Sequence, residues 1–173
     1  MYTSCTKTEV ADKVSTSMAA DPTVPVSEMS KQLNLSEGAI TFALPNEMVT
    51  QIPGEQAQTV LEQLPEWGVM TTIIHSFGSI FESKAPFPRG KVAHGYYNLM
   101  GRDGELHGHL RLDLVANIAF VSKPFRNMES HYIAFFTSSG ECVFKIYLGR
   151  DKKRQLIPEQ VSAFKKMKKE LSV

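Results

Sequence analysis

The chain has 173 residues, of which 42% are hydrophobic and 21% are charged, and its formal net charge is +1. This composition can form a packed core and excludes a globally disordered chain, and the small net charge gives no general attraction to nucleic acid. No apolar run is long enough to span a bilayer, and residues 1–20 lack the apolar core of a signal peptide. The two cysteines, Cys5 and Cys142, suggest no disulfide framework. We therefore expect a cytoplasmic protein with no membrane partner.

The first third of the chain is predicted to be helical. Residues 1–20 are poor in apolar side chains and are expected to be a flexible segment, although Val10, Val14 and Met18 recur at every fourth position and make a weak helix possible there. Two short helices joined by a tight turn are predicted over residues 27–43, in the manner of a helix-turn-helix, and a third covers residues 54–64. Residues 21–66 would then be a small helical part that forms one structural domain with the rest.

From residue 67 the pattern changes to strands rich in Thr, Ile and aromatic residues. The predicted strands are 69–75, 79–82, 94–100, 106–112, 116–121, 131–137 and 141–148. Turn residues at 101–104 and 138–140 join two pairs of strands into hairpins, residues 85–90 are predicted to be a loop, and Pro158 suits the first position of a terminal helix. The expected fold class is α+β: short N-terminal helices, then a large antiparallel β-sheet and a C-terminal helix over residues 67–173.

The candidates for chemistry are histidines and tyrosines on these strands. The sequence has no Gly-rich phosphate loop, no Cys-x-x-Cys pair, no His-Glu-x-x-His and no Gly-x-Ser-x-Gly motif. Because side chains alternate along a strand, His107, His109 and Arg111 are expected to project from the face opposite a leucine-rich core face. On the preceding strand, Tyr96 is expected to lie on the face opposite Tyr97, and Tyr97 is expected to be buried.

A row of imidazole, phenol and guanidinium groups suits an iron porphyrin. Ferric iron accepts a neutral imidazole nitrogen or a phenolate oxygen, and the propionates pair with arginine. Each residue also has a simpler interpretation. His109 is then an exposed strand histidine, His75 a hydrogen-bonded core histidine, Tyr96 a cross-strand aromatic and Arg111 a solvated side chain.

Several sequence runs of the C-terminal three-fifths have a distinctive spacing. They are Glu66-Trp67-Gly68, Thr71-Thr72-Ile73-Ile74-His75, His94-Gly95-Tyr96-Tyr97-Asn98-Leu99, Gly108-His109-Leu110, Lys145-Ile146-Tyr147-Leu148-Gly149-Arg150-Asp151, Arg154-Gln155-Leu156 and Glu159-Gln160-Val161-Ser162-Ala163-Phe164. Together these runs resemble the HutX/ChuX/ShuX family of intracellular haem-utilisation proteins. The resemblance covers about residues 66–164. It implies a fold related to one half of the duplicated haem-trafficking proteins, and it implies a homodimer.

The resemblance also implies a site that binds haem b, iron protoporphyrin IX. Its residues would be His75, His109 and the aromatic pair Tyr96 and Tyr97, with Arg111 as a propionate partner. Candidate iron ligands are His109, His75 and Tyr96, and the choice between histidine and tyrosine stays open. Family members have Tyr-Phe where this chain has Tyr-Tyr. The implied activity is to carry haem to a haem-degrading partner protein during iron acquisition.

Two other functions are kept as alternatives. A haem-degrading enzyme would need one proximal histidine, an open distal site and an electron donor, and nothing in the sequence excludes it. A DNA-binding regulator would use the helix pair at 27–43. Its second helix carries no Arg or Lys, which is unfavourable for contacting phosphates and base edges, so nucleic acid is not an expected partner.

Overall fold

The structure is a computed structural model that describes residues 2–172. The helices are α1 (Lys7–Ala20), α2 (Val26–Leu33), α3 (Glu37–Thr41), α4 (Ala57–Gln63) and α5 (Pro158–Leu171). The strands are β1 (Val49–Pro53), β2 (Val69–Ser76), β3 (Ser79–Pro86), β4 (Gly90–Ala93), β5 (Tyr96–Leu99), β6 (Gly108–Leu110), β7 (Asn117–Ser122), β8 (His131–Phe136) and β9 (Cys142–Tyr147). Short 3-10 turns lie at Gly54–Gln56, Leu64–Trp67 and Leu112–Leu114. The predicted α+β class is confirmed.

The strands form two antiparallel sheets. A six-stranded sheet has the order β1-β7-β8-β9-β2-β3, and a three-stranded sheet, here called the small sheet, has the order β4-β5-β6. In the large sheet, β8 is an almost continuous apolar run whose six residues are all buried. A strand buried on both of its faces requires cover on both faces of its sheet.

Face A of the large sheet is covered by α4, α5 and the small sheet. The core there includes Val60, Leu61, Leu64, Phe87, Tyr97, Leu99, Ile118, Phe120, Ile133, Phe135, Phe144, Ile146, Phe164 and Met167. Face B is covered by α1, α2 and α3. Its core includes Val10, Val14, Val26, Met29, Ile40, Ala119, Val121, Tyr132, Ala134 and Phe136. Burying each of the large side chains stabilises the fold by about 1.5–3 kcal/mol, so both cores are needed.

A buried glutamine fixes α5 to the ends of two strands. The Gln160 side-chain amide donates to the carbonyl oxygens of Trp67 and Val69 at 2.8 and 2.9 Å, and its Oε1 accepts from the Gly149 backbone N–H at 2.6 Å. These bonds replace the hydrogen bonds that the Gln160 amide would make to water, so its buried donors and acceptor all have partners. The helix is thereby held at one position on face A.

A buried ion pair fixes α3 to face B. The Lys145 Nζ on β9 donates to Glu37 Oε1 at 3.0 Å, and both side chains are largely shielded from water. Burial is the largest single effect and disfavours the charge on Lys145, but the combined effects of the Glu37 carboxylate, Cys142 and Tyr147 exceed it, so the pKa of Lys145 lies above its ordinary value. Helix α3 is therefore held by an ion pair in which each buried charge is stabilised by the other.

Replacement of one member of this pair should destabilise the protein strongly. Lys145→Met leaves the Glu37 carboxylate without its cation and is expected to reduce the free energy of unfolding by about 3–5 kcal/mol. The double variant Glu37→Leu/Lys145→Met removes both charges and should recover most of that loss. Urea unfolding curves measure both values. A double variant less stable than the single variant would contradict this account.

The predicted strand 94–100 and loop 85–90 need correction. His94 does not open a strand: it forms, with Gly95, the two-residue turn between β4 and β5, with φ values of +54° and +78°. Two successive positive φ values define the turn that best matches the twist of a hairpin. Strand β3 continues through Pro86, and β4 already begins at Gly90, so the predicted loop is much shorter.

Two N-terminal predictions also need correction. Residues 1–20 are not a flexible segment throughout, because the weak helix that their apolar spacing allows is formed at Lys7–Ala20. It has a reciprocal capping box between Thr6 and Glu9, and its Val10 and Val14 are buried on face B. The part at 21–66 is not purely helical, because β1 pairs with β7 along the edge of the large sheet. Long-range pairing, which local sequence does not reveal, stabilises that short strand.

Candidate functional site

A polar cluster lies on the outer face of the small sheet, as the alternation of side chains along its strands predicts. Asn98 lies directly opposite His109 across β5 and β6, and residues paired in this way share a face. Tyr96 lies two residues before Asn98 on the same face. Tyr97 is only 2% exposed whereas Tyr96 is 39% exposed, which confirms that the first faces the core and the second faces outward.

The His109 ring is exposed and is held from two sides. Its Nδ1 lies 2.6 Å from Oδ1 of Asn98. Its ring meets the Tyr96 ring in an edge-to-face contact, with centroids 5.8 Å apart. The imidazole is thus oriented by neighbours on its own sheet while its outer edge stays in solvent.

Arg111 follows β6 and completes the cluster. Its guanidinium carbon lies 5.9 Å from the centre of the Tyr96 ring. The Nε and Nη2 groups donate to the two carboxylate oxygens of Asp113 at 2.8 and 2.6 Å. These bonds raise the pKa of Arg111 and lower the pKa of Asp113, so both groups are charged at neutral pH. Arg111 therefore already has an anionic partner, but its Nη1 takes no part in that pair.

An open concavity of about 510 Å³ lies beside the cluster. It is lined by Gln58, Val92, His94, Gly95, Tyr96, Tyr97, Arg111, Leu112 and Asp113. The volume falls within the range of about 300–1,000 Å³ that is typical of small-molecule sites. The lining combines apolar side chains with a phenol and a guanidinium, and His109 adjoins it through Tyr96.

Tyr97 contributes to this concavity only from below. Its ring packs in the face A core, and its hydroxyl has no hydrogen-bond partner among the residues that the structure describes. Burial, with a smaller contribution from Glu62, raises the pKa of Tyr97. Tyr97 therefore lines the core side of the concavity.

The structure does not bring His75 to the cluster. His75 lies on β2 with Ile73, which is paired with Lys145, so its side chain belongs to face B. The small sheet packs on face A, where its neighbour Ile74 joins the apolar core. Within one protomer, His75 and His109 thus lie on opposite sides of the large sheet. Burial and the nearby charge of Lys145 lower the pKa of the half-buried His75.

The His75 imidazole should therefore be neutral at neutral pH. Its NMR titration midpoint is expected below the ordinary value of 6.5. Because the unfolded chain then binds more protons than the folded chain, stability should fall as the pH drops from about 6.5 through the folded-state pKa. His75→Gln should lose this component, so the variant's unfolding free energy should depend less on acid pH. A midpoint above 6.5 would contradict the assigned environment.

The helix pair proposed for DNA binding is not available for that role. Asn34 ends α2 with a positive φ of 51°, and Ser36 caps α3, so the predicted helix-turn-helix geometry is present. However, α3 is buried: its Ile40 and Thr41 are inaccessible, and its Gly38 N–H donates to Gly140 on a neighbouring turn. A helix packed against a sheet in this way cannot enter a groove of DNA.

None of the helices in residues 2–172 is both long and apolar enough to cross a membrane. Nor does this range contain a group of three or more His, Cys, Asp or Glu side chains arranged to hold a metal ion.

Asn98, His94 and Gln58 are among the residues of the site that the sequence did not predict. Asn98 shares the face of Tyr96 by simple alternation, and that pattern was sufficient to find it. His94 reaches the concavity because it lies in a turn, and Gln58 reaches it from α4. Neither of these last two has a local signal, since both positions depend on tertiary packing.

Fold and site together define an α+β protein of two antiparallel sheets that carries an imidazole, a phenol and a guanidinium on the open face of the smaller sheet. The chain belongs to the haem utilisation ChuX/HutX family, whose model matches residues 50–167. It is 58% identical to the intracellular heme transport protein HutX of Vibrio cholerae serotype O1 over 165 residues, which are 95% of this chain and 86% of HutX.

Solved structures agree with this assignment. The heme binding protein ChuX is 33% identical, with a TM-score of 0.83, and the match covers 95% of this chain and 99% of ChuX. Holo-PhuS, a heme-binding protein from Pseudomonas aeruginosa, is 16% identical with a TM-score of 0.78, over 98% of this chain and 46% of PhuS. The likeness to PhuS concerns the fold alone. It confirms the prediction that this chain corresponds to one half of a larger fold.

Proposed function

We propose that this protein is a cytoplasmic carrier of haem b that binds the porphyrin on the outer face of the small sheet. The observation that carries the proposal is the cluster of His109, Tyr96 and Arg111 beside an open concavity. Membership of the haem utilisation family and the 58% identity to a protein named for intracellular heme transport support it.

The donor set fits an iron porphyrin. Bound haem would supply a ferric iron that accepts an imidazole nitrogen or a phenolate oxygen. We propose that His109 or Tyr96 provides the axial ligand, since the third predicted candidate, His75, lies on the opposite side of the large sheet. The Nη1 group of Arg111 would pair with a propionate, and the apolar side chains of Val92 and Leu112 would cover part of the ring.

The openness of the site favours a carrier over an enzyme. The His109 ring is solvent-exposed, and Arg111 is shared with Asp113, so neither group is preorganised by burial. A carrier must release its cargo, and exposed interactions are weaker than buried ones because water competes for them. We propose that the recipient is a haem-degrading partner protein in iron acquisition.

A haemin titration of the purified protein tests the site. His109→Ala or Tyr96→Phe, whichever removes the axial ligand, should weaken haemin binding by at least about tenfold, a cost of about 1.4 kcal/mol. If Tyr96 is that ligand, Tyr96→Phe should also remove a phenolate charge-transfer band. His107→Ala, which changes an exposed histidine outside the cluster, is the matched control and should leave the titration unchanged.

Two results would count against the proposal. Wild-type protein that gives only the spectrum of free, aggregated haemin would end the haem assignment. Unchanged binding and spectra in both variants would end the ligand assignment while leaving haem binding intact. Addition of ascorbate and oxygen to the complex separates carrier from enzyme, because loss of the Soret band with a linear tetrapyrrole product would favour the degrading enzyme.

We further propose that the protein is a homodimer and that the tip of the β2–β3 hairpin is buried in the dimer interface. Strand β3 is an edge strand of eight residues. Phe77 in the turn is fully exposed, and Ile80 and Phe81 are 61% and 60% exposed. An apolar edge of this length invites pairing with another strand, and a second copy presents the same edge in a twofold arrangement.

A charge on this hairpin should disrupt the dimer. Phe81→Asp is expected to convert a dimer into a monomer, as measured by light scattering after size-exclusion chromatography. Leu114→Asp changes another exposed apolar residue, far along the chain in a 3-10 turn, and should leave the dimer intact. A monomeric wild-type protein, or a Phe81→Asp variant that stays dimeric, would contradict this interface.

A further inference from the structure

The side chain of Asn98 joins His109 to the backbone of its own sheet. Its Oδ1 faces Nδ1 of the imidazole at 2.6 Å. Its Nδ2 lies 3.1, 3.0 and 3.2 Å from the carbonyl oxygens of Lys91, Ala93 and Tyr96. This one amide therefore contacts an exposed histidine with its oxygen and three backbone acceptors with its nitrogen.

We infer that Asn98 is a positioning residue that holds His109 in the tautomer with its proton on Nδ1, so that Nε2 is directed outward with its lone pair free to bind ferric iron. The role of iron rests on the proposed function. The tautomer does not, because it follows from contacts within the protein.

The orientation of the amide is fixed by the three carbonyl groups. They can only accept hydrogen bonds, so the atom that faces them must be the –NH₂ group. A flipped amide would place Oδ1 against three other oxygens and leave those contacts repulsive. The two N–H bonds of Asn98 are thus shared by the carbonyls of Lys91, Ala93 and Tyr96, and the amide oxygen is directed at His109.

The tautomer of His109 follows from that orientation. An amide oxygen has no proton, so the short contact with Nδ1 is attractive only if Nδ1 carries the hydrogen. In the neutral imidazole the other nitrogen, Nε2, is then the acceptor. Metal-binding histidines usually donate their second ring N–H to a neighbouring acceptor, which fixes both the tautomer and the ring orientation.

Nitrogen NMR of the ligand-free, ¹⁵N-labelled protein tests the tautomer directly. At a pH where the imidazoles are neutral, wild-type His109 is expected to show a protonated Nδ1 and an unprotonated Nε2. Asn98→Leu has a similar shape but no acceptor, and it should shift His109 towards the Nε2–H tautomer that imidazole favours in water. His107 and His75, which do not contact Asn98, serve as internal controls and should keep their shifts.

Asn98→Asp separates the tautomer from the folding of the hairpin. This variant keeps an oxygen that accepts from Nδ1–H but loses the donors to the three carbonyls, so the Nδ1–H tautomer should persist even if the hairpin is less stable. A wild-type His109 with its proton on Nε2 would overturn the inference. So would an Asn98→Leu variant that folds and retains the Nδ1–H tautomer.

Haemin titration then tests the consequence for iron. Loss of such a supporting hydrogen bond typically weakens metal binding by about 10–100-fold, and this range is expected for Asn98→Leu, with a smaller loss for Asn98→Asp. Wild-type protein that binds no haemin would refute the proposed function and leave the tautomer result standing. Unchanged haemin affinity and spectrum in an Asn98→Leu variant with a switched tautomer would refute the role of Asn98 in presenting Nε2.

Discussion

The fold depends on the burial of both faces of the six-stranded sheet. Every residue of β8 is buried, so neither face of this strand can be left to solvent. The chain meets the requirement with different elements on each side: α1–α3 cover face B, and α4, α5 and the small sheet cover face A. Since hydrophobic burial scales with the apolar area removed from water, all of these covering elements contribute to one cooperative structure.

This constraint also creates the site. One face of the small sheet packs against the core through Tyr97, Leu99 and Leu110. Because side chains alternate along a strand, Tyr96 and His109 lie on the opposite face. The second face has no covering element in the described part of the protomer. Side chains that fix packing and side chains that offer chemistry therefore alternate along the same short strands, and the core side holds the polar side in place.

The parts that the sequence predicted are those that depend on local periodicity. The burial of Tyr97 and the exposure of Tyr96 and His109 follow from a period of two and need no tertiary information. The face of the large sheet on which His75 lies cannot be predicted in this way. That face depends on which strands pair with β2 and on which helices cover the sheet. The strand β1 was missed for the same reason: its partner β7 lies more than sixty residues away.

The errors at His94 and at residues 1–20 have a different origin. Histidine is uncommon in hairpin turns, so His94 gives little indication of a turn. Gly95 alone does not distinguish a turn from the start of the strand that follows it. In the N-terminal segment, a weak apolar pattern is completed by the capping box of Thr6 and Glu9 and by contacts of Val10 and Val14 with face B. A helix that would be marginally stable alone can form in a protein when tertiary packing of its apolar face stabilises it.

The pairing of Arg111 with Asp113 bears on how such a site would exchange its cargo. Two donors of the guanidinium are already satisfied by a carboxylate on the same chain, so an incoming carboxylate meets a partly neutralised arginine. That arrangement lowers the gain from binding an anion, and it equally offers Arg111 a partner when the anion leaves. When the anion leaves, Arg111 is therefore not left as an unpaired cation. This lowers the cost of releasing an anionic ligand, which suits the proposed carrier function.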